Sequence, residues 1–205
     1  MGIREKISYL RNLGVNVLYL NPIFFSFSPH KYDSICLHHV DPFLGPNPGK
    51  DLEMLRGRQE DEDPDTWGWT AADREFLGLV EDLHRAGIRI LLDGVFNHTG
   101  RRHFAFQDIL EKGIHSRYVD WYKIIRWDAS LPDGFEYQGW NGSSMLPEFR
   151  QENGSLAPGP EAYIKAVVDR WMMPEIAPSR GIDGWRLDAA ECLPPTFWNH
   201  FRKKI

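Results

Sequence analysis

An arginine and a carboxylate stand two residues apart in an apolar run near the end of the chain, Gly181-Ile-Asp-Gly-Trp-Arg-Leu-Asp188. Because side chains alternate along a strand, Arg186 and Asp188 are expected to point to the same side. A neighbouring guanidinium favours the ionised form of a carboxylate, which is the form that a nucleophile needs. An aspartate is uncommon inside an apolar parallel strand, so the pair is either a supported nucleophile or a buried structural ion pair.

A second polar cluster ends another apolar run, Asp93-Gly-Val-Phe-Asn-His98. His98 can donate a hydrogen bond to a substrate hydroxyl, Asn97 can hold a loop or a cation, and Asp93 is placed to orient its neighbours. The alternative is a polar turn with a capping asparagine. These residues alone do not define a metal.

A loop tyrosine adds a contact surface. Tyr32, within His30-Lys-Tyr-Asp33, can stack on a sugar ring, although loop tyrosines without a function are common. Aromatic residues make up 13% of the chain, with eight Trp. Aromatic faces bury well in a core and also stack on sugars, so the excess suits a carbohydrate site without requiring one.

Three segments that would position these residues share one pattern: an amphipathic helix, a glycine and a short apolar strand. The helices are expected over residues 3–13, 70–86 and 160–177, and the strands over 15–20, 88–93 and 182–187. Gly14 fits a helix C-cap, and Thr70 is predicted to cap the second helix with Asp73 three residues on. Strands that alternate with helices predict βαβ units, a parallel sheet and an α/β fold.

Two long irregular stretches, residues 21–69 and 100–157, follow the first two strands. The first contains a strongly charged part, Arg56 to Asp65, which is expected to be an exposed insertion, and the second is expected to hold short strands near Tyr118 to Trp127. Loops of this length are usually functional or form a subdomain. In a (β/α)₈ barrel, active sites are built at the carboxyl ends of the strands, where these loops begin.

The number of strands predicts part of a barrel. A complete (β/α)₈ barrel takes about 250 residues, whereas three strands are recognised in these 205 residues and the chain begins on a helix. We therefore expect about strands 2 to 4 of a partial TIM (β/α)₈ barrel, without its first strand and its last four.

Composition excludes several classes of function. The formal charge of −5, with no basic block, gives no support for nucleic-acid binding. No apolar run approaches the length of a membrane span, and the N-terminus lacks a signal-peptide core. Two cysteines are too few for a disulfide framework, so a cytoplasmic location is expected, unless a native N-terminus is missing. The oligomeric state is not indicated.

The motifs, taken in order, resemble the α-amylase family of glycoside hydrolases. Asp93 to His98 and Gly184 to Asp188 resemble that family's first and second signature regions. Leu13 to Phe24, followed by His30 to Asp33, resembles its strand-two region, and is most similar to the neopullulanase and cyclomaltodextrinase branch. Tyr137-Gln-Gly-Trp140 and Met145-Leu-Pro-Glu-Phe149 resemble the extra signature region in that branch's domain B.

The resemblance implies roles for the residues that match. Asp188 matches the catalytic nucleophile and Arg186 the arginine that supports it. His98 and Tyr32 match substrate-binding residues at the cleavage subsite. Asp93 and Asn97 match structural positions around the site. The asparagine helps bind calcium in many members, but this branch often lacks that site, so no required cofactor is expected and calcium binding is left open. Glu191 matches a substrate-binding position near the acceptor subsites.

The resemblance also implies an enzyme that cleaves α-1,4-glucosidic bonds of maltooligosaccharides, α-glucans or cyclodextrins with retention. The implied domains are a partial catalytic barrel over residues 1–99, a domain B-like insertion over 100–158 and a truncated continuation of the barrel over 159–205. The family's acid/base glutamate follows the next strand and is expected to be absent from the chain. Alone, the 205-residue chain is therefore expected to be inactive or nearly so.

The sequence departs from the family pattern at three places. Cys36-Leu37 stands where Asp-Tyr is usual, Glu191-Cys192 stands where the branch has Asn-Glu, and the charged part from Arg56 to Asp65 replaces a short connection. The alternatives are an α-glucan transglycosylase or a trehalose-synthase-like enzyme, and a non-catalytic amylase-like module such as the ectodomain of amino-acid transporter heavy chains. A different barrel enzyme with a chance Arg-x-Asp is a further alternative.

Overall fold

A three-stranded parallel sheet organises the residues that the computed structural model describes, 2–57 and 60–204. The strands are β1 Val17–Leu20, β2 Arg89–Val95, β3 Ile124–Trp127, β4 Phe135–Tyr137, β5 Gln151–Glu152, β6 Ser155–Leu156 and β7 Gly184–Asp188. The α-helices are α1 Gly2–Asn12, α2 Pro48–Gly57, α3 Ala71–Arg85, α4 Phe104–Lys112, α5 Pro158–Met172 and α6 Pro195–Lys204. Within the described ranges, no helix combines the length and apolar composition that a membrane span needs.

The parallel sheet has the order β1-β2-β7, and each of its strands follows one of the three predicted helices. Asp93 of β2 pairs in register with Arg186 of β7, and Val95 pairs with Asp188. The carboxyl ends of these two strands therefore lie side by side. The prediction of an α/β fold with a parallel sheet is confirmed.

Local sequence explains where the helices begin and end. Thr70 and Asp73 form the predicted capping box at the start of α3. Gly14 follows α1 with a φ of 80°, a left-handed conformation that costs glycine little. The helix α5 ends at Met172, five residues before the predicted end, because Pro174 has no N–H to continue the ladder. The apolar run indicates an interior strand position for Asp188, but the structure places Asp188 at the last residue of β7.

Two helices, α2 and α4, were not predicted within the irregular stretches. Both are short, and α2 buries only two side chains, Asp51 and Leu55, so its helical periodicity is weak. In the second stretch, β3 pairs antiparallel with β4, which confirms short strands near residues 118–127.

The charged part of the chain from Arg56 to Asp65 is largely exposed in its described residues, as predicted, with one exception. Arg56 is exposed within α2, whereas the Glu60 side chain is only 16% exposed because it contacts His38. Asp65 is exposed, as expected. Positions 58 and 59 of this part lie outside the described residues.

The two faces of the parallel sheet differ. One face packs against the helices in a core in which Trp171 of α5 meets Phe24 at 5.6 Å between ring centroids. On the other face, Tyr19 of β1 is 40% exposed and the Arg186 side chain is 45% exposed. This second face carries the polar side chains that the sequence singled out.

Candidate active site

Asp93 is the centre of a hydrogen-bonded group on the exposed face of the sheet. Its carboxylate is buried and lies 2.9 Å (Oδ1) and 3.2 Å (Oδ2) from Nη1 of Arg186. The hydroxyls of Tyr19 and Tyr32 donate to Oδ2 at 2.5 Å and 3.0 Å. We name these residues and Asp188 the Asp93 cluster. Asp93 thus contacts three polar side chains of the cluster directly.

Arg186 joins the two carboxylates of the cluster through one nitrogen. Its Nη1 atom donates to Asp93 and also to Asp188. The hydrogen bonds to Asp93 first, and to Asp188 second, hold the pKa of the guanidinium above its usual range. Arg186 and Asp188 do point to the same side of β7, as the alternation predicts. The Asp188 side chain is 14% exposed and that of Asp93 is fully buried, so Asp188 is the carboxylate that reaches solvent.

The two tyrosine hydroxyls act as donors toward Asp93. Partial burial, followed by the hydrogen bond to this carboxylate, raises the pKa of both Tyr19 and Tyr32. Both phenols therefore stay protonated at neutral pH. Three donor side chains hold the Asp93 carboxylate, whereas Asp188 has a more accessible oxygen.

His98 lies beneath the Tyr32 loop, with both ring nitrogens beside protein atoms. Nε2 is 3.1 Å from the backbone carbonyl of Tyr32, and Nδ1 is 3.0 Å from Oδ1 of Asn97. Burial lowers the pKa of the imidazole to about 4, so the ring is neutral at pH 7 and Nε2–H donates to the carbonyl. Nδ1 is then an acceptor, and the Asn97 amide satisfies it by presenting its NH₂ group, which has no other partner among the described residues. In this arrangement His98 supports the loop that carries Tyr32. The predicted hydrogen bond to a substrate hydroxyl requires Nε2 to release that carbonyl.

The segments that resemble the extra signature region meet at the same place. The ring of Trp140 stacks on His98 with centroids 5.1 Å apart and planes 16° apart. Glu148 forms an antiparallel bridge with His98, and the Phe149 N–H donates to the Asn97 carbonyl at 3.0 Å. The irregular stretch after β2 is therefore anchored directly on the end of that strand.

The described residues around Asn97 show no cluster of acidic side chains that fits a calcium ion. Calcium takes six to eight oxygen ligands. Among the described residues, the one group of three or more His, Cys, Asp or Glu side chains with clustered ligand atoms lies elsewhere, at Cys36, His38 and Glu60. We derive no step through calcium.

Glu191 lies apart from the Asp93 cluster. It is exposed in the 3₁₀ helix Ala190–Cys192, which follows a left-handed Ala189 with a φ of 46°. Among the described residues, no hydrogen bond links Glu191 to the cluster. The structure thus brings together Tyr32, Asp93, Arg186 and Asp188, places His98 and Asn97 behind Tyr32, and leaves Glu191 outside.

Two residues at the site were missed from the sequence. Tyr19 was treated as part of an apolar strand, although it pairs in register with Leu91, two residues before Asp93, and therefore shares the face of Asp93. The polar tyrosine inside the apolar strand β1 was the sequence feature that could have indicated this contact. Trp140 was noted only as part of a motif, because its contact with His98 spans 42 residues and has no local signature.

Comparisons with known proteins identify the family of the chain. Residues 1–63 and 67–202 match the family model described as the catalytic domain of alpha amylase. Neopullulanase 2 from Thermoactinomyces vulgaris is 36% identical over 205 residues, which are all of this chain and 29% of that protein. A cyclomaltodextrinase from Thermoanaerobacter pseudethanolicus is 34% identical, again over the whole chain and over 30% of its own length.

Among solved structures, the debranching enzyme of Nostoc punctiforme, from an acarbose-soaked crystal, is 35% identical with a TM-score of 0.74. The match covers 98% of this chain and 36% of that one. The chain therefore spans less than a third of the length of the curated relatives named above.

Proposed function

The chain belongs to the alpha-amylase family, and on that premise we propose that it carries the nucleophile side of a retaining α-glucosidic site. Asp188 is the nucleophile, and the hydrogen bond from Arg186 holds it in place. One observation carries the proposal: a single guanidinium nitrogen binds the buried Asp93 and the more exposed Asp188 at the ends of adjacent parallel strands. If Arg186 served only a structural ion pair, Asp93 would be a sufficient partner and the contact with Asp188 would have no purpose.

The fold proposal follows from the order of elements. We propose that β1, β2 and β7 are about strands 2 to 4 of a (β/α)₈ barrel, and that residues 100–158 form a domain B insertion after the third barrel strand. The parallel order supports the first part, and the antiparallel pairs β3-β4 and β5-β6 between β2 and β7 support the second. Active sites of such barrels lie at the carboxyl ends of the strands, where Asp188 stands.

The substrates we propose are α-1,4-linked glucans, maltooligosaccharides or cyclodextrins. The names of the relatives, a neopullulanase, a cyclomaltodextrinase and a maltogenic amylase, support this class. Tyr32 would stack under the sugar at the cleavage subsite, with His98 beneath its loop, and the exposed Glu191 would lie toward the acceptor.

The proposed reaction has two displacements. An oxygen of Asp188 forms a bond to the anomeric carbon while the bond to the leaving oxygen breaks, and water later hydrolyses the glycosyl ester with net retention. The leaving oxygen must receive a proton from a second carboxylic acid about 5–5.5 Å from the nucleophile. We propose that this acid is a glutamate of the complete protein outside these 205 residues. The proposal requires no cofactor.

Covalent trapping tests the nucleophile without the proton donor. In a ring-fluorinated α-glucosyl fluoride, fluoride leaves as an anion and needs no acid, while the ring fluorine slows hydrolysis of the glycosyl ester. We expect a mass increase of one glycosyl group on the peptide that contains Asp188, and none in Asp188→Asn. Asp169→Asn, on the outer helix α5, is the matched control and should label normally. Labelling of Asp188→Asn at the unchanged rate would overturn the assignment.

A further inference from the structure

Two of the departures from the family pattern meet in space. Cys36 and His38 lie in the loop after β1, and Glu60 belongs to the charged part of the chain after α2. Their ligand atoms, Sγ, a ring nitrogen and a carboxylate oxygen, all lie within 4.8 Å of one another. Cys36 and His38 are fully buried and Glu60 is largely so. The roles proposed for the Asp93 cluster use none of these three residues.

The imidazoles beside Glu60 are oriented as metal ligands are. His38 places Nε2 2.5 Å from Oε2 of Glu60, while its Nδ1 lies 2.9 Å from the Tyr163 hydroxyl. His39 places Nε2 3.7 Å from the same Glu60 oxygen, while its Nδ1 lies 2.7 Å from the buried Asp73 carboxylate. A ligating histidine usually has its second nitrogen held in this way by a hydroxyl or carboxylate partner.

The donor set selects a class of ion. A thiolate, imidazole nitrogens and one carboxylate oxygen match the mixed sulfur, nitrogen and oxygen ligands of Zn²⁺, and differ from the all-oxygen sets of Ca²⁺ and Mg²⁺. Tetrahedral bonds of roughly 2.0–2.3 Å place ligand atoms about 3.5 Å apart. The three ligand atoms lie within 4.8 Å of one another, so side-chain shifts must bring them closer to reach this geometry. His39 lies outside that group of three and must also shift, from an Nε2 position 3.7 Å from Oε2 of Glu60.

An entry path leads to the same side chains. Cys36 and Glu60 line a cavity of about 690 Å³ together with three arginines, Arg56, Arg101 and Arg102. The guanidinium of Arg101 is already paired with Asp133, which offsets its repulsion of a cation. The cavity therefore brings solvent to Glu60 and up to the buried Cys36.

We propose that Cys36, His38 and Glu60 bind one Zn²⁺ ion, with His39 as the fourth ligand. The ion ties the segment after α2 to the loop after β1, which carries Tyr32, and it takes no part in sugar chemistry. The site does not depend on the function proposed above.

Cobalt titration of the metal-stripped chain tests the site. Co²⁺ should bind at one equivalent with a sulfur-to-cobalt charge-transfer band, and Zn²⁺ should displace it and raise Tm. Cys36→Ser should abolish the band, whereas Cys192→Ser, which changes the other free cysteine, should keep it. Glu60→Gln keeps a hydrogen-bonding partner for His38 and should weaken Zn²⁺ binding at least 10-fold, which decides the matter if Cys36→Ser does not fold. No charge-transfer band in the folded chain, a band lost only in Cys192→Ser, or unchanged Zn²⁺ affinity in Glu60→Gln would overturn the proposal.

Discussion

Asp93 and Arg186 are direct partners in the register of β2 and β7, and both oxygens of the buried carboxylate lie within 3.2 Å of one guanidinium nitrogen. The pair joins adjacent strands on the face where Asp188 also lies. It therefore serves stability and sets the position of Arg186 at the same time.

Replacing Asp93 should first reduce stability. Asp93→Asn leaves the Arg186 guanidinium and the hydroxyls of Tyr19 and Tyr32 with a weaker, neutral acceptor. Hydrogen bonds to a charged group contribute about 1.5–3 kcal/mol, and the 45% exposure of the Arg186 side chain reduces that value by solvent screening. We expect a loss of about 1–2 kcal/mol in the free energy of unfolding, measured by urea denaturation. Asp169→Asn, at a half-exposed ion pair with Lys204, should change it by less.

Arg186→Lys should separate charge from geometry. Lysine keeps the positive charge but lacks the planar fork, so one ammonium is not expected to hold both carboxylates in place. Misplacement of a nucleophile by about 1 Å can reduce a rate by roughly 10²-fold. We expect the rate of covalent trapping to fall by about that factor, while the far-UV circular dichroism stays unchanged. An unaltered trapping rate would show that Arg186 does not position Asp188.

The sequence predicted the strands that hold these residues more accurately than the contacts between them. The pairing of Arg186 with Asp188 followed from alternation along one strand, a local property. The contact of Tyr19 with Asp93 spans 74 residues, and it depends on the register of two strands, which no short motif specifies. Glu60 was assigned to an exposed segment for the same reason, because its partner His38 becomes apparent only when the chain folds back.

Two matched tyrosine variants should distinguish stacking from hydrogen bonding. Tyr32→Phe and Tyr19→Phe each remove one hydroxyl that donates to the same Asp93 oxygen. We therefore expect both variants to change the half-saturating concentration of the trapping reagent only slightly and by similar factors. Tyr32→Ala also removes the ring that we propose lies under the sugar. We expect it to raise the half-saturating concentration of the trapping reagent by roughly 10-fold, about 1.4 kcal/mol, with a smaller effect on the limiting rate. Equal values for Tyr32→Ala and Tyr32→Phe would remove the stacking role.

The buried His98 predicts a loss of stability in acid. Its folded-state pKa of about 4 lies below the unfolded value near 6.5, so the unfolded chain binds the proton first as the pH falls. Protonation of His98 therefore leaves the free energy of unfolding unchanged above pH 6.5. Between pH 6.5 and about pH 4 it lowers this free energy progressively, by up to about 3 kcal/mol. His38 and His103, whose pKa values are also lowered by burial, add to the same trend. Urea denaturation across this range should give a shallower slope for His98→Gln, whereas a variant at the exposed His115 should keep the original slope.

A natural oligosaccharide and an activated glucosyl fluoride should react differently with the 205-residue chain. Both carboxylates of the Asp93 cluster accept hydrogen bonds from Arg186, an arrangement that suits a nucleophile and not a proton donor. Maltotriose carries a poor leaving group that must be protonated, so we expect its hydrolysis by the chain to be no faster than by Asp188→Ala. The ring-fluorinated glucosyl fluoride needs no proton, so it should still label Asp188. Turnover of maltotriose well above the Asp188→Ala level, followed by reducing-sugar release, would place a working proton donor within these 205 residues.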